Sequence, residues 1–269
     1  MALSGVRTQL GGQCVKRPMT VIIGGTSNLG KALSLRFAEG GGTVIVASEE
    51  VEAGLKLADR ISARGGQGVY VHYEPTEESI RALISRCKEL GGIPDCVVTC
   101  PAAEKKVPSK NPLAEALRPW TISYESSALA SRALAEEMKY VGRGSILNLG
   151  SLETLIPQPF TISDKNQSIF SLSQMLAIDY GQFGIRVNSI APGCALSEML
   201  RSQVEQAWMN PKARLMSPPL RAVVKPEHVA EAAFFLCSEK AMTITGVMLP
   251  VDAGWLLQVA QTAQIAAAK

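Results

Sequence analysis

The sequence predicts one α/β domain, a doubly wound parallel sheet with helices on both faces. Short apolar runs rich in valine and isoleucine recur along the chain, as expected of fully buried parallel strands. Helical stretches alternate with these runs, and the connections between them are short and polar. A chain of 269 residues that is 46% hydrophobic is long enough to bury a large core. The predicted domain spans residues 19–256, between an arm at 1–18 and an extension at 257–269.

The elements follow in order from this alternation. The predicted strands are Met19–Gly24, Thr43–Ala47, Gly68–Tyr73, Cys96–Cys100, Ser145–Leu149 and Arg186–Ala191, with a closing strand inside 244–255. The predicted helices are Lys31–Glu39, Glu50–Arg64, Glu77–Leu90, Pro119–Met138, Ser163–Gln182 and the amphipathic Pro226–Ser238. No internal repeat and no linker divides the chain, so a single domain is expected.

Charge and cysteine content narrow the class of protein. The net charge is only +3, so neither nucleic acid nor a membrane surface is indicated, although the basic loop at 211–226 leaves nucleic acid open. The six cysteines contain no C-x-x-C pair, which argues against a zinc site and a disulfide framework and favours a reducing compartment. No apolar run reaches about 18 residues, so no membrane-spanning helix is predicted.

The first 18 residues are basic and contain no acid, since the first acidic residue is Glu39. This composition resembles that of a weak mitochondrial presequence, and an ordinary basic arm before the first strand is the other interpretation. An intracellular protein, mitochondrial or cytoplasmic, is therefore expected.

A glycine-rich turn follows the first strand, where it begins a helix. Such a turn directs backbone N–H groups and the helix dipole at a pyrophosphate, and glycine is needed where the backbone must approach closely. A purely structural turn is the alternative. The candidate nucleotide-binding residues in this turn are Gly24, Ser27, Asn28, Leu29 and Gly30.

The turn and the segment Gly184–Gly193, which reads GIRVNSIAPG, together resemble the short-chain dehydrogenase/reductase family over residues 19 to about 256. The resemblance implies a Rossmann-like fold and an NAD(P)-dependent oxidoreductase. In the family's Thr-Gly-x-x-x-Gly-x-Gly pattern, Asn28 takes the place of the middle glycine. Asparagine tolerates a left-handed backbone better than most residues, so a weakened turn is expected.

The resemblance assigns further residues to the cofactor. Ser48 takes the place of an aspartate that would bind the adenosine ribose, and Glu49 and Glu50 follow it. These acids would repel a 2′-phosphate, so NAD is favoured over NADP, if a nucleotide is bound at all. Glu74 corresponds to an aspartate near the adenine, and Pro192, Gly193 and Ser197 correspond to residues around the nicotinamide. The family's Asn-Asn-Ala-Gly segment is replaced by Thr99–Ala102.

The family's catalytic residues are mostly replaced. Ser151 matches the catalytic serine, and Ser123 stands at the asparagine position. Counting back without a gap from Gly184 places Ile162 at the tyrosine position and Asn166 at the lysine position. Counting from Ser151 instead places Asp164 and Ser168 there. Neither alignment yields the Tyr-x-x-x-Lys pair. Because a positioned acid or base contributes about 10²–10⁴ in rate, conventional ketone reduction is not expected.

Two functions remain open on the sequence. The first is a catalytically inactive structural or accessory subunit of a homo-oligomer or larger assembly, with nucleotide binding either kept or lost. The alternative is a divergent NAD(P)H-dependent reductase acting on an iminium ion or a conjugated alkene, with Asp164 or Tyr124 as weak candidates for the proton donor. No metal site is predicted.

Overall fold

A computed structural model describes residues 8–10, 13–15, 17–39, 41–100, 112–150, 152, 163–193 and 218–258. Its centre is a seven-stranded sheet in which every pairing is parallel. The strands are β3 (Met19–Ile23), β4 (Thr43–Ser48), β5 (Gln67–His72), β6 (Cys96–Thr99), β7 (Gly144–Leu149), β8 (Ile185–Pro192) and β9 (Met248–Val251), in the spatial order β5-β4-β3-β6-β7-β8-β9. The predicted doubly wound α/β fold is confirmed.

Six helices cover the two faces of the sheet in the described part of the chain. They are α1 (Asn28–Ala38), α2 (Val51–Ser62), α3 (Glu77–Glu89), α4 (Pro112–Val141), α5 (Ser163–Gly181) and α6 (Pro226–Cys237). Two begin earlier than the sequence predicts. α1 begins at Asn28 because the Ser27 side chain caps it, and α4 begins at Pro112, as proline is well tolerated in a first helical turn.

The core lies on both sides of the sheet, and alternate residues of each central strand face opposite ways. Val21 and Ile23 of β3 pack in a cluster with α3, α4 and α5, whereas Ile22 packs in a second cluster with α1, α2 and α6. All five side chains of β3 are buried. This explains why the predicted strands are continuous apolar runs rather than alternating ones.

Within the basic arm, the structure shows a feature that the sequence analysis does not predict. Strands β1 (Thr8–Leu10) and β2 (Gln13–Val15) pair antiparallel as a hairpin separate from the main sheet.

Among the described residues, no helix is both long and apolar enough to cross a membrane.

Candidate functional site

The candidate site lies at the carboxyl edge of the sheet, between β3 and β6. From β3 the chain moves through α1 to β4 on one side, and from β5 it crosses through α3 to β6 on the other side. This reversal opens a crevice at the carboxyl ends of the central strands, which is where open α/β sheets bind their ligands. The predicted glycine-rich turn is at this position.

The turn after β3 is held by hydrogen bonds from the neighbouring strand and from its own serine. The N–H of Gly24 donates to the Ala47 carbonyl at 2.8 Å. The Ser27 hydroxyl donates to the Gly24 carbonyl at 2.9 Å, and it accepts from the Gly30 N–H at 2.9 Å. Ser27 is therefore the N-cap of α1, and it fixes the helix N-terminus directly against the turn.

Two glycines of the turn are required by close packing. A Cβ on Gly30 would lie 2.7 Å from the Gly25 Cα and would also collide with the Gly24 carbonyl. A Cβ on Gly25 would lie 2.9 Å from a methyl group of Val46. Gly24 has φ of 73°, a conformation that favours glycine. The turn thus brings backbone close to the helix N-terminus, as a pyrophosphate site needs.

The backbone conformation of Asn28 corrects the expectation that a left-handed asparagine weakens the turn. Asn28 is the first residue of α1, and the described non-glycine residues with positive φ are Arg221 and Ala253. An asparagine at position 28 therefore carries no left-handed strain, and the following Leu29 packs in the core.

Ser48 ends β4 beside this turn, and its hydroxyl is an unusual buried group. The residue is only 6% exposed, and its Oγ has no hydrogen-bond partner in the described structure. Its backbone carbonyl is occupied, accepting from the Tyr70 hydroxyl at 2.9 Å and from the Tyr73 N–H at 3.1 Å. A buried polar group without a partner is uncommon, and a ligand hydroxyl at this position would satisfy it. Ser48 and the turn therefore fit a dinucleotide.

The acidic residues near Ser48 lie at the surface. Glu49 and Glu50 are exposed where β4 leads into α2. Glu74 is also exposed, and its Oε1 lies 3.3 Å from Nε2 of His72 on the edge strand β5. The adenosine end of the crevice is therefore bordered by carboxylates.

Pro192 and Gly193 follow at the carboxyl end of β8. Pro192 is the last residue of the strand, and the Gly193 N–H donates to the Val251 carbonyl at 2.8 Å. A Cβ at Gly193 would lie 2.9 Å from the Asp252 Cα, so this glycine allows the end of β9 to approach closely. Ser197, the remaining nicotinamide candidate, lies outside the described residues.

A buried polar cluster, which the sequence analysis misses, lies beneath the carboxyl ends of β6 and β7. Asn148 Oδ1 accepts from the hydroxyls of Thr99 and Ser131, both at 2.7 Å. Asn148 Nδ2 donates to the Ser173 hydroxyl at 3.0 Å, and that hydroxyl donates to the Ile169 carbonyl at 2.8 Å. These side chains link β6, β7, α4 and α5. The available signal was an asparagine inside the apolar run of β7.

The predicted catalytic residues are placed only in part. Ser151 and Ile162 lie outside the described residues. Ser123 has its backbone in α4, and Asp164 and Asn166 have theirs in the first turn of α5, but their side chains lie outside the described part. Tyr124 is half-buried on α4 and packs against the core cluster of α3, α4 and α5.

The tyrosine that α5 does contain is far from the carboxyl edge. Tyr180 follows Asn166 by fourteen residues, which is about 21 Å at a rise of about 1.5 Å per residue. Its hydroxyl donates to Glu136 Oε1 at 2.6 Å, and burial raises the pKa of Tyr180 to about 12. This tyrosine joins α5 to α4 near the opposite edge of the sheet.

Comparison with known proteins places the chain among enzymes of one family. Residues 24–256 match the family profile described as enoyl-(acyl carrier protein) reductase. The 7α-hydroxysteroid dehydrogenase of Escherichia coli strain K12 is 29% identical over 91% of this chain and 95% of its own. Glucose 1-dehydrogenase 2 of Bacillus subtilis strain 168 is 31% identical over 90% of this chain and 95% of its own.

A solved structure supports the same assignment. The 7α-hydroxysteroid dehydrogenase complexed with NADH and 7-oxo glycochenodeoxycholic acid superposes with a TM-score of 0.75 at 28% identity. The superposition covers 88% of this chain and 93% of that one.

These relatives correct one prediction. A catalytically inactive accessory subunit is expected from the sequence, but similar proteins of nearly equal length are named dehydrogenases or, in one case, a reductase. That expectation is wrong. It depended on the Tyr-x-x-x-Lys pair that neither alignment yields, and loss of an acid lowers the rate without removing hydride transfer itself. The chain belongs to the short-chain dehydrogenase/reductase family.

Proposed function

We propose that this protein is an NAD(P)-dependent oxidoreductase. The observation that carries the proposal is the turn at the N-terminus of α1, where Ser27 caps the helix and Gly30 admits the close approach of the backbone. The NADH complex of the 7α-hydroxysteroid dehydrogenase supports it, because that protein shares the fold over most of both chains. When bound, the nicotinamide supplies or accepts a hydride.

We further propose that NAD(H) is preferred to NADP(H). The Ser48 hydroxyl is buried and unpartnered, so a ribose hydroxyl is a suitable partner for it. Glu49 and Glu50 are exposed directly after it, and their charges would repel a 2′-phosphate. NAD(H) is therefore preferred because its ribose hydroxyl can pair with Ser48 and because it carries no 2′-phosphate for the two glutamates to repel.

A third proposal concerns the proton. Between Ser151 and Gly184 the tyrosine and lysine of the chain are Tyr180 and Lys165, and Tyr180 is engaged with Glu136. The usual tyrosine acid is therefore absent from the head of α5. A conjugated alkene suits such a site, because addition of hydride to it leaves an enolate, a weaker base than an alkoxide, which depends less on an acid at its oxygen. The description of the matching family profile supports this substrate class.

The residues of the chain would then act mainly by positioning. The cluster around Asn148 satisfies its own polar groups and fixes β6 and β7 against α4 and α5. The carboxyl ends of those strands are held in register beneath the substrate side of the crevice. Orientation of the reactants supplies a large share of rate in reactions that need little acid catalysis.

A homo-oligomer is proposed on the surface of α5. Met175 and Ile178 are three residues apart on this helix and are exposed, Ile178 by 79%. Tyr140 at the end of the neighbouring α4 is also exposed. Analytical ultracentrifugation of the wild type and of Ile178→Lys tests this, with a shift towards monomer expected for the variant and an unchanged oligomer contradicting it.

Nucleotide binding can be tested at Ser48. We expect Ser48→Ala to weaken NADH binding by about three- to tenfold, since one hydrogen bond is lost, with little change in thermal stability because Oγ has no partner in the protein. The matched control is Thr43→Val, a buried hydroxyl at the start of the same strand, which should leave NADH affinity unchanged. Equal affinities for both variants would contradict the placement of the ribose.

The substrate class can be tested by turnover. NADH oxidation is followed with a conjugated enone and with the saturated ketone of the same skeleton, and product is identified by mass spectrometry. The proposal expects reduction of the alkene to exceed reduction of the ketone by at least about 10²-fold, the usual contribution of a positioned acid. Faster ketone reduction would contradict the proposed chemistry while leaving the nucleotide site intact.

A further inference from the structure

A cavity lies at the amino-terminal edge of the sheet, opposite the nucleotide turn. Its volume is about 230 Å³, and it opens beside the starts of β7 and β8 and the end of α6. Its lining includes Asp95, Arg143, Ser145, Arg186 and Cys237. None of these residues belongs to the site described above.

Two cysteines from distant parts of the sequence meet at this cavity. Cys96 begins β6, Cys237 ends α6, and the two are 141 residues apart. They are 1% and 3% exposed. The Cys96 thiol donates towards the Cys237 carbonyl oxygen, with Sγ 3.8 Å from that oxygen. Cys237 lines the cavity, whereas Cys96 is not one of its lining residues.

The surroundings of Cys237 contain a cation and an unsatisfied hydroxyl. Arg186 donates to the carbonyls on both sides of Cys237, Leu236 at 2.6 Å and Ser238 at 3.1 Å. The Ser145 hydroxyl is buried and has no hydrogen-bond partner among the described residues, and Ser145 lines the same cavity as Cys237. A buried hydroxyl that remains unpaired beside a thiol is available to stabilise a charged or oxidised sulfur.

The two thiols differ in acidity in a useful direction. The nearby Cys96 thiol, the Ser145 hydroxyl and the positive charge of Arg186 lower the pKa of Cys237, while the Cys237 thiol and burial raise the pKa of Cys96. Elsewhere, burial raises the pKa of Cys87 to about 12 and that of Cys100 to about 11. Cys237 is thus the more acidic thiol of the pair and the better nucleophile.

We propose that Cys237 and Cys96 form a redox-active dithiol that a small hydroperoxide, entering through this cavity, oxidises to a disulfide. The Cys237 sulfur attacks the terminal peroxide oxygen, the O–O bond breaks, and an alcohol leaves after taking up the thiol proton. The resulting Cys237 sulfenic acid is attacked by the Cys96 sulfur. An S–S bond forms, the S–O bond breaks, and the hydroxyl leaves as water with the Cys96 proton. Two thiols and one hydroperoxide give one disulfide, one alcohol and one water.

The disulfide would join the centre of the sheet to the helix that covers one face. It would leave the carboxyl edge untouched, so nucleotide binding should persist after oxidation. A crosslink across 141 residues restricts the unfolded chain strongly, and the oxidised protein should therefore melt at a higher temperature.

The test uses the full chain with Cys14→Ser and Cys194→Ser, which leaves the four buried cysteines described. The folded protein is treated with one equivalent of tert-butyl hydroperoxide, then unfolded and alkylated with N-ethylmaleimide, and its mass and peptides are measured. We expect loss of two alkylation sites and a peptide crosslinked between Cys96 and Cys237. Cys87 and Cys100 should remain fully alkylated, which also shows that the protein stayed folded.

Two variants separate the oxidation of Cys237 to a sulfenic acid from the formation of the disulfide. Cys96→Ser should stop at a sulfenic acid on Cys237 that dimedone traps, and Cys237→Ser should leave Cys96 reduced. Cys87→Ser is the matched control and should form the crosslink as the parent does. Full alkylation of Cys237 after peroxide treatment, or oxidation of Cys87 and Cys100 to the same extent, would overturn the proposal.

Discussion

The two halves of the sheet differ in what determines their part of the site, which is backbone geometry in one half and side-chain chemistry in the other. In the half built from β3, α1 and β4, the nucleotide turn is a matter of backbone geometry, fixed by Gly24, Gly30 and the cap at Ser27. In the half built from β7, α5 and β8, the scaffold is equally complete, but the tyrosine that α5 contains, Tyr180, is bonded to Glu136 far from the carboxyl edge. Binding and chemistry can therefore change separately in one fold.

The largest expected effect comes from blocking the turn. Gly30→Val would drive a side chain into the backbone of Gly24 and Gly25, so we expect NADH binding to fall below detection and stability to fall by about 1–3 kcal/mol. Calorimetric titration and thermal unfolding measure the two effects.

The matched control for this change is Gly181→Ala, at the end of α5. No atom lies within 4 Å of the added Cβ, so the control should keep both affinity and stability. Retained nucleotide binding in Gly30→Val would show that the turn is only structural.

The second largest effect is expected from a substitution in the half of the sheet that contains β7, α5 and β8. Asn148→Leu would leave the hydroxyls of Thr99, Ser131 and Ser173 without their shared partner, and we expect a loss of about 2–3 kcal/mol in the free energy of unfolding. Turnover should fall while the NADH dissociation constant changes little.

Thr99→Val removes only one of the two donors to Asn148 Oδ1, so we expect a loss of about 1 kcal/mol in the free energy of unfolding. Chemical denaturation distinguishes the two variants. Equal stabilities for the wild type and Asn148→Leu would mean that the cluster does not fix the strands.

These two halves also differ in how far the sequence predicts them. The turn is local, so Gly24–Gly30 could be identified from consecutive residues, although the earlier start of α1 depends on a side-chain hydrogen bond at Ser27. The cluster around Asn148 brings together residues from two strands and two helices, and the Cys96–Cys237 pair spans 141 residues. Such contacts are set by tertiary packing, which local patterns do not encode.

A third prediction sharpens the choice of nucleotide. Replacing an exposed acid by a base, Glu49→Arg, should raise NADPH affinity relative to NADH by about three- to tenfold, because repulsion of the 2′-phosphate becomes attraction near a solvent-exposed surface. The ratio of the two dissociation constants is the measurement. The control is Glu52→Arg on the outer part of α2, and a similar ratio change there would indicate only a general effect of charge.

The smallest effect is expected at Tyr180. Tyr180→Phe removes the hydrogen bond to Glu136 and should lower stability by about 1 kcal/mol, with turnover changed less than about twofold because the hydroxyl lies far from the carboxyl edge. Initial rates and thermal unfolding are compared with the wild type. A large loss of turnover at unchanged stability would assign this tyrosine a role in proton transfer.

The most direct test of the central claim is calorimetric titration of the wild-type protein with NADH and then with NADPH. The account predicts saturable binding of NADH with a dissociation constant in the range of about 1 µM to 1 mM, usual for enzyme ligands, and weaker binding of NADPH. If neither nucleotide bound at concentrations several times higher than about 1 mM, the proposal that this crevice is a working nicotinamide-nucleotide site would be contradicted.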